Sequence, residues 1–243
     1  MSNISTVLVV GASGSIGSLV TAEAVRQGYT TRALVRAAAR GRAIDPGAEI
    51  VVADLTDPST LAAAVEGIDA VVFTQGTHGG AGQAEAVDYG AVRNILTALD
   101  GRTVRIALMS TIGVTVRSDG HDWKRRGERL VRASGNDYTI VRPGWFDYND
   151  SDQLLITLLQ GDTRRAGNSS DGVIARRQIA RVLVDSLATE TASRLTFELV
   201  AERGPAQENL DSTYAALDAD PESSLDGEST TRRTCQQRRN LAG

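Results

Sequence analysis

The chain has 243 residues, of which 41% are hydrophobic and 23% charged, and this composition is typical of a soluble globular protein with a substantial core. The net charge of -4 argues against a nucleic-acid partner, and the absence of a long apolar run or a signal-peptide pattern leads us to expect a cytoplasmic protein without a membrane partner. One cysteine excludes an intrachain disulfide framework, and two histidines leave no metal-ligand cluster to expect.

The first 150 residues alternate between apolar runs and segments with helical spacing. The apolar runs are short and rich in β-branched residues, as in buried strands. One helical segment begins with Asp57 as N-cap and Pro58 at the first helical position, the favoured order at a helix start. Predicted strands cover 6–10, 30–36, 48–55, 69–76, 104–111 and 137–144, and predicted helices cover 15–28, 57–67, 83–101 and 122–135.

This alternation predicts an α/β fold with a doubly wound parallel sheet, whose ligands bind at the carboxyl ends of the strands. After residue 150 the pattern loosens into a predicted helix at 152–159, a polar loop at 161–172, a helix at 177–189 and a strand at 195–200. We therefore assign residues 1–204 to one domain that includes a small lobe at about 145–204. Residues 205–243 are predicted as a C-terminal helix and a tail, and the last 23 residues have so little to bury that we expect them to be mobile.

A glycine-rich loop, GASGSIG, lies between the first predicted strand and the first predicted helix. Its glycines, Gly11, Gly14 and Gly17, allow a tight turn and a close approach to a pyrophosphate, whose charge is favoured by the helix N-terminus. The alternative is an ordinary strand-to-helix turn, but the strand before the loop and the helix after it favour a dinucleotide site. We therefore expect a nicotinamide cofactor.

The residue at the end of the second strand indicates which cofactor it is. An acidic residue there binds the ribose 2′-hydroxyl of NAD, whereas arginine accommodates the 2′-phosphate of NADP. The chain has Arg36 at this place, so we expect NADP(H) in preference to NAD(H). The alternative is a solvated arginine at a strand end, and the following Arg40 and Arg42 are expected to be exposed loop charges.

Seven segments carry a resemblance to a known family. In chain order they are VLVVGASGSIGSLV, RALVR, DLTD, VVFTQGT, VDYGAVRNI, WKRRGERLVRASGNDYTIVRPG and TFELV, and they cover most of residues 5–200. Together they resemble the atypical short-chain dehydrogenase/reductases, NmrA-like members of the NAD(P)-binding Rossmann superfamily. The resemblance implies a Rossmann fold and NAD(P)H-dependent oxidoreductase chemistry.

The resemblance also implies a set of cofactor contacts. The residues that would surround the pyrophosphate are Gly11, Ser13, Gly14, Ser15, Ile16 and Gly17. Arg36 would bind the 2′-phosphate, and the adenine would be bound by Asp54 and Leu55. The adjoining ribose would be lined by Thr74, Gln75 and Gly76, and the nicotinamide by Arg142, Pro143 and Gly144.

Catalytic relatives carry a serine or threonine after the fifth strand and a YxxxK pair on the next helix. Ser110 and Thr111 match the first feature and Lys124 matches the lysine, but Gly120 stands where the tyrosine would be. Lys124 is the only lysine among 26 basic residues. By resemblance it would donate to the nicotinamide ribose hydroxyls, a task for a compact point charge that a planar guanidinium fits poorly. The alternative is an exposed lysine paired with Glu128 at i,i+4.

The missing tyrosine leaves more than one function open. Our main prediction is an NADPH-dependent oxidoreductase acting on a small, planar carbonyl, quinone or flavin acceptor, as a monomer or homodimer. The alternative is a regulatory protein that senses NADP(H) without turnover, and epimerase chemistry is a weaker third because it usually needs the tyrosine. Four residues could substitute for the tyrosine, although we expect each to be structural: His78, Tyr89, His121 and Tyr148.

Overall fold

The computed structural model describes residues 4–77, 82–222 and 224–227. An eight-stranded sheet lies at its centre, with strands in the order β3-β2-β1-β4-β5-β6-β10-β8, and β7 and β9 form a small parallel pair. The strands are β1 Thr6–Val10, β2 Thr30–Val35, β3 Glu49–Val52, β4 Ala70–Phe73, β5 Arg105–Met109, β6 Tyr138–Pro143, β7 Trp145–Phe146, β8 Leu155–Leu159, β9 Val173–Ile174 and β10 Leu195–Glu202. The helices are α1 Gly17–Arg26, α2 Ala62–Val65, α3 Gly90–Leu99, α4 Asp119–Ala133, α5 Arg176–Ala188 and α6 Asp211–Ala215.

Seven strands of the central sheet are parallel and helices cover both of its faces, which confirms the predicted doubly wound α/β fold. Along β1, Val7 and Val9 face the core that contains α1 and α5, whereas Leu8 and Val10 face the core that contains α3. The chain leaves β1 toward β2 on one side and returns beside β1 as β4 on the other. The crevice between the carboxyl ends of β1 and β4 is therefore the switch point at which such sheets bind ligands.

The prediction of a helix at 152–159 was wrong. Residues Leu155–Leu159 form strand β8, which pairs antiparallel with β10 in the register Thr157 to Val200. Ile156 and Leu158 are buried and alternate with less buried neighbours, which is the period of a strand. The segment reads LLITLL, and periodicity alone cannot assign a continuous apolar run of this length to helix or strand.

Two predicted helices contain other kinds of turn. Asp57 caps the second helical segment as predicted, because its carboxylate accepts a hydrogen bond from Ser59 N at 3.0 Å, but the first turn, Pro58–Thr60, is a 3₁₀ helix. The predicted helix at 83–101 begins with a π-helical turn, Ala84–Tyr89, that continues into α3. π-helical turns inside helices occur frequently at functional sites.

The segment after residue 204 is partly held to the domain. It contains α6, and Asp226, in the part predicted as a mobile tail, accepts hydrogen bonds from Arg125 and Arg129 of α4 at 2.8 and 2.9 Å. Asp226 therefore connects this part of the chain to α4. Residues 228–243, including Cys235, lie outside the described residues, as does residue 223.

A buried arginine joins α4, β6 and β10. Arg142, predicted as part of the nicotinamide wall, is 2% exposed, and its guanidinium donates to both oxygens of Glu128 on α4 at 3.0 and 2.7 Å. It also lies 3.4 Å from Glu198 on β10. Glu198 accepts a second bond from the backbone N–H of Asp162 at 3.0 Å. The Arg142 side chain is thus occupied by two carboxylates inside the protein.

The two glutamates respond oppositely to this environment. Burial acts to raise the pKa of Glu128, but the charges of Arg142 and Arg132 outweigh it and lower the pKa to about 2. Burial raises the pKa of Glu198 to about 7, although Arg142 acts in the other direction. Glu128 is therefore the principal counter-ion of Arg142.

We expect Glu128→Gln to lower the free energy of unfolding by about 3 kcal/mol at slightly alkaline pH, because it leaves a buried guanidinium without its main counter-ion. Urea denaturation measures this loss. Since the folded pKa of about 2 lies below the ordinary 4.5, the stabilisation is complete above pH 4.5 and is lost as the pH falls toward 2. Wild type and variant should converge in that window.

Glu198→Gln is the matched control on the same arginine. Its folded pKa of about 7 lies above the ordinary 4.5, so ionised Glu198 destabilises the protein progressively as the pH rises between these values. At slightly alkaline pH this variant should be at least as stable as wild type. Equal losses in the two variants would show that Arg142 does not depend mainly on Glu128.

Candidate active site

The glycine loop after β1 folds back on itself more tightly than other residues allow. Gly11 has a φ of +83°, and a β-carbon at position 17 would lie 2.1 Å from the Gly11 carbonyl oxygen. Helix α1 then starts at Gly17 with no side-chain cap on its first N–H groups and no acidic residue in its first turn. The Ser18 N–H bonds to the Gly14 carbonyl at 3.0 Å, and the dipole at the start of α1 favours an anion in front of the loop.

The glycine loop lies against the end of β4. The Thr74 hydroxyl donates to the Val10 carbonyl at 2.8 Å, and a β-carbon at Gly11 would lie 2.7 Å from the backbone nitrogen of Gln75. The side-chain oxygen Oε1 of Gln75 is buried without a hydrogen-bond partner among the described residues. A buried acceptor without a partner is costly, so this oxygen is suited to accept a bond from a ligand in the crevice.

The predicted adenine side lies at the ends of β2 and β3. Arg36 directly follows β2 and is exposed. The backbone and hydroxyl hydrogen bonds from Thr56 lower the pKa of Asp54, and the charge of Arg36 adds to this lowering. The Leu55 carbonyl accepts a bond from the Asn94 side chain at 2.7 Å, which fixes this loop. Arg36 and Asp54 are therefore neighbours beside the glycine loop, and their contacts with a cofactor stay predictions.

Lys124 reaches the same edge of the sheet from α4. Its ammonium Nζ donates to Asp88 Oδ1 at 2.8 Å and lies 3.6 Å from the place that a β-carbon at Gly76 would take. The alternative pairing with Glu128 is wrong, because Glu128 is fully buried on Arg142. Lys124 thus stands beside the carboxyl end of β4, next to the switch point.

Sequence reasoning missed Asp88. This residue is 5% exposed and lies in the π-helical turn before α3. The helical spacing could have revealed it, since Asp88 precedes Val92, which is buried, by four residues and so lies on the apolar face of its helix. A carboxylate on such a face requires a donor or a cation.

Ser110 and Thr111 follow β5 as predicted, but their surroundings differ. Ser110 is 4% exposed and lies beside Glu128, so it is part of the buried cluster around that carboxylate. Thr111 is half-buried, and in the described part of the chain no hydrogen bond joins it to Lys124. The loop that continues from Thr111 is anchored by Asp162, which accepts from the backbone N–H groups of Gly113 and Thr115 at 2.6 and 2.8 Å.

The place of the missing tyrosine is open. A β-carbon at Gly120 would find no atom within 4 Å. The neighbouring His121 has its Nδ1 2.8 Å from the Val116 carbonyl, and Tyr89 packs on Trp123 with ring centres 5.4 Å apart. These contacts give His121 and Tyr89 structural roles, as expected. His78 lies outside the described residues.

The segment after β6, where the nicotinamide is predicted to bind, carries two exposed aromatic rings. Trp145 and Tyr148 follow β6, are 38% and 65% exposed, and meet edge to face with centres 6.1 Å apart. Gly144 packs so tightly that a β-carbon there would lie 2.5 Å from the Gly172 carbonyl. The close packing fixes where the chain leaves β6 and therefore where the aromatic pair lies.

These features fit a dinucleotide along the carboxyl edge. The uncapped start of α1 suits a pyrophosphate, Gln75 Oε1 offers an unused acceptor, and Lys124 offers a cation. In residues 4–77, 82–222 and 224–227, no helix is both long and apolar enough to cross a membrane, and no group of three or more potential metal ligands is assembled.

Comparison with known proteins decides the family. The sequence model of the NAD(P)H-binding family matches residues 11–190. The chain belongs to this family. The match confirms the resemblance drawn from the glycine loop and the later segments, and it makes the protein an NAD(P)-binding protein of the oxidoreductase type.

Individual relatives agree with this assignment. A Bacillus subtilis protein named as an uncharacterized sugar epimerase is 29% identical over 217 residues, which cover 84% of this chain and 98% of that protein. Sanguinarine reductase from Eschscholzia californica is 26% identical over 242 residues, with 80% of this chain and 88% of the reductase covered. The structure of a candidate NAD-dependent epimerase/dehydratase from Bacillus halodurans has a TM-score of 0.71 at 24% identity, covering 88% of this chain and 100% of that chain, and this likeness shows the Rossmann fold.

If Arg36 binds the 2′-phosphate, Arg36→Glu should weaken the binding of NADPH at least about tenfold, because a charge-assisted hydrogen bond is lost. The affinity for NADH should stay the same or increase. Isothermal titration calorimetry of both cofactors measures the ratio of their Kd values. Arg42→Glu, an equal change of charge in the exposed 3₁₀ helix Ala38–Ala43, is the control and should leave the ratio near that of wild type. An unaltered ratio for Arg36→Glu would remove this residue from the site.

Proposed function

We propose that the protein is an NADPH-dependent reductase of a small, planar carbonyl, quinone or flavin acceptor. The observation that carries this proposal is the Lys124 ammonium, held beside Gly76 at the switch point, with open space at Gly120 one helical turn away. NADPH supplies a hydride, and with one proton from solvent a quinone becomes a hydroquinone. The protein's part is to bind, orient and exclude competing reactions.

Lys124 orients the reactants in this proposal. Its ammonium carries three N–H donors, and the bond to Asp88 uses one of them. The others are available to ribose hydroxyls on the nicotinamide side, as the family resemblance implies. Thr111, half-buried after β5, is proposed to contact the acceptor, whereas Ser110 beside Glu128 is proposed to support the loop.

The open position at Gly120 sets the class of acceptor. A tyrosine there would act as a general acid, and such an acid contributes about 10²- to 10⁴-fold to a proton transfer. Reduced quinones and flavins take protons readily from water, so they need this acid less than a simple ketone does. A chain that keeps the lysine and lacks the tyrosine is therefore better suited to quinones, flavins and activated carbonyls.

The exposed aromatic pair supports a planar acceptor. Trp145 and Tyr148 follow β6, at the edge where the nicotinamide is expected, and both keep a large exposed fraction. Aromatic rings bind flat conjugated molecules by stacking and edge contacts. The name of one relative, sanguinarine reductase, agrees with reductase chemistry, and the preference for NADPH rests on Arg36 at the end of β2.

Stopped-flow mixing of the purified protein with NADPH tests the proposal. The near-ultraviolet absorbance of NADPH is followed with and without a panel of quinones, flavins and aldehydes. We expect acceptor-dependent oxidation that is fastest with quinones or flavins and is strongly reduced in Lys124→Met. Tight NADPH binding without oxidation by any acceptor would overturn the proposal and favour the non-catalytic NADP(H) sensor.

Gly120→Tyr should restore the missing general acid. We expect the variant to reduce simple aldehydes or ketones up to about 10²-fold faster than wild type, because a phenol one helical turn before Lys124 can donate a proton. Gly120→Phe is the matched control, since it adds the ring without the hydroxyl, and it should show no gain. A gain of equal size in both variants would show that packing, not proton donation, is responsible.

A further inference from the structure

We propose that Asp88 is a positioning residue that holds the Lys124 ammonium against the end of β4, with its free N–H groups directed at the ribose diol of a bound nicotinamide nucleotide. This inference rests on the proposed function for its ligand. It goes further by assigning a role to a carboxylate that lies in the family-like segment VDYGAVRNI, to which the resemblance assigns no role.

The Asp88 carboxylate is fixed from two sides. Oδ1 accepts from Lys124 Nζ at 2.8 Å, and Oδ2 accepts from the Thr77 hydroxyl at 2.9 Å. The Asp88 side chain is 2% exposed and the Lys124 side chain 18%. The carboxylate is therefore enclosed, and the part of the ammonium that stays accessible is the part not bonded to Asp88.

The single bond between the cation and Asp88 suits a lysine, in a chain that otherwise uses arginine. A guanidinium binds a carboxylate best through two parallel bonds, one to each oxygen. Here the two oxygens have different partners, because Thr77 bonds to Oδ2 and Lys124 bonds to Oδ1. An ammonium makes this one bond and keeps two further donors for a ligand.

The backbone is arranged to make this contact possible. Asp88 lies in the π-helical turn Ala84–Tyr89, and a β-carbon at Gly127 of α4 would lie 3.2 Å from the Asp88 carbonyl oxygen. The glycine lets α4 approach the π turn closely. Lys124 lies three residues before Gly127 on the same helix, and so its side chain reaches the Asp88 carboxylate across this contact.

Stability alone gives a weak reason for such a pair. Burying two charges costs several kcal/mol, about as much as their attraction returns, and an apolar pair of similar volume is often as stable. The pair lies at the ligand edge of the sheet, with Lys124 Nζ 3.6 Å and Asp88 Oδ1 3.8 Å from the β-carbon position at Gly76. This location connects it with ligand binding.

The test compares two ligands that differ in the nicotinamide half. NADPH would contact both Arg36 and Lys124, whereas adenosine 2′,5′-bisphosphate has only the adenine-side groups. We expect Asp88→Asn, which removes the charge and keeps the shape, to weaken NADPH about tenfold, as for a lost charged hydrogen bond, and to leave the bisphosphate unchanged. Calorimetry of both ligands on the full chain measures this difference.

A double-mutant cycle separates positioning from support of the fold. If Asp88 acts through the ammonium, Asp88→Asn should cause no further loss of NADPH affinity in a Lys124→Met background. Asp69→Asn is the control for a lost carboxylate, because Asp69 accepts from the backbone of residues 5 and 6 at the opposite edge of the sheet. It should change stability without changing the ratio of the two affinities.

Unchanged NADPH affinity in Asp88→Asn, or equal weakening of both ligands, would overturn the proposal. If Asp88→Asn does not fold, Thr77→Val decides, since it leaves the ion pair and frees Oδ2. We expect a smaller loss confined to NADPH, and a loss shared by both ligands would again contradict us. These readouts need no turnover, so a protein that oxidises no NADPH would refute the proposed function while the role of Asp88 is still decided by binding.

Discussion

The contact between the glycine loop and the end of β4 is the constraint on which the site depends. A β-carbon at Gly17 would lie 2.1 Å from the Gly11 carbonyl, and one at Gly11 would lie 2.7 Å from the Gln75 nitrogen, so two backbone segments meet at distances that only glycine permits. This contact aims the start of α1 at the switch point and places Thr74, Gln75 and Gly76 beside it. A dinucleotide-binding edge follows from backbone geometry before any side chain acts.

Helix α4 carries two charged side chains that bond to different parts of the structure. Lys124 and Glu128 are one turn apart and of opposite sign, yet they do not pair. Glu128 bonds to Arg142 inside the protein and ties α4 to β6, whereas Lys124 bonds to Asp88 at the ligand edge. The buried pair fixes the helix, and the fixed helix determines where the one lysine can reach. Rigid support of this kind is what an orienting cation requires.

Much of the fold and part of the site were predictable from the sequence. Alternating apolar runs and helical segments specify a doubly wound sheet, and the glycine loop with its flanking elements specifies the ligand edge. Strand β8 was missed because LLITLL has no period, and its pairing with β10 is a long-range effect. The inward side chain of Arg142 and the partner of Lys124 were missed for a related reason, since Glu128 and Asp88 come from other elements and are joined only by tertiary packing.

The central claim is that this edge binds NADPH so that hydride leaves the nicotinamide for a planar acceptor. The most direct measurement is the rate of quinone-dependent oxidation of NADPH carrying deuterium at one or the other C4 position. The account predicts a primary isotope effect for one label only, because a bound nicotinamide presents one face to the acceptor. Equal rates with both labels and with unlabelled NADPH in single-turnover experiments, or no oxidation at all despite tight binding, would contradict it.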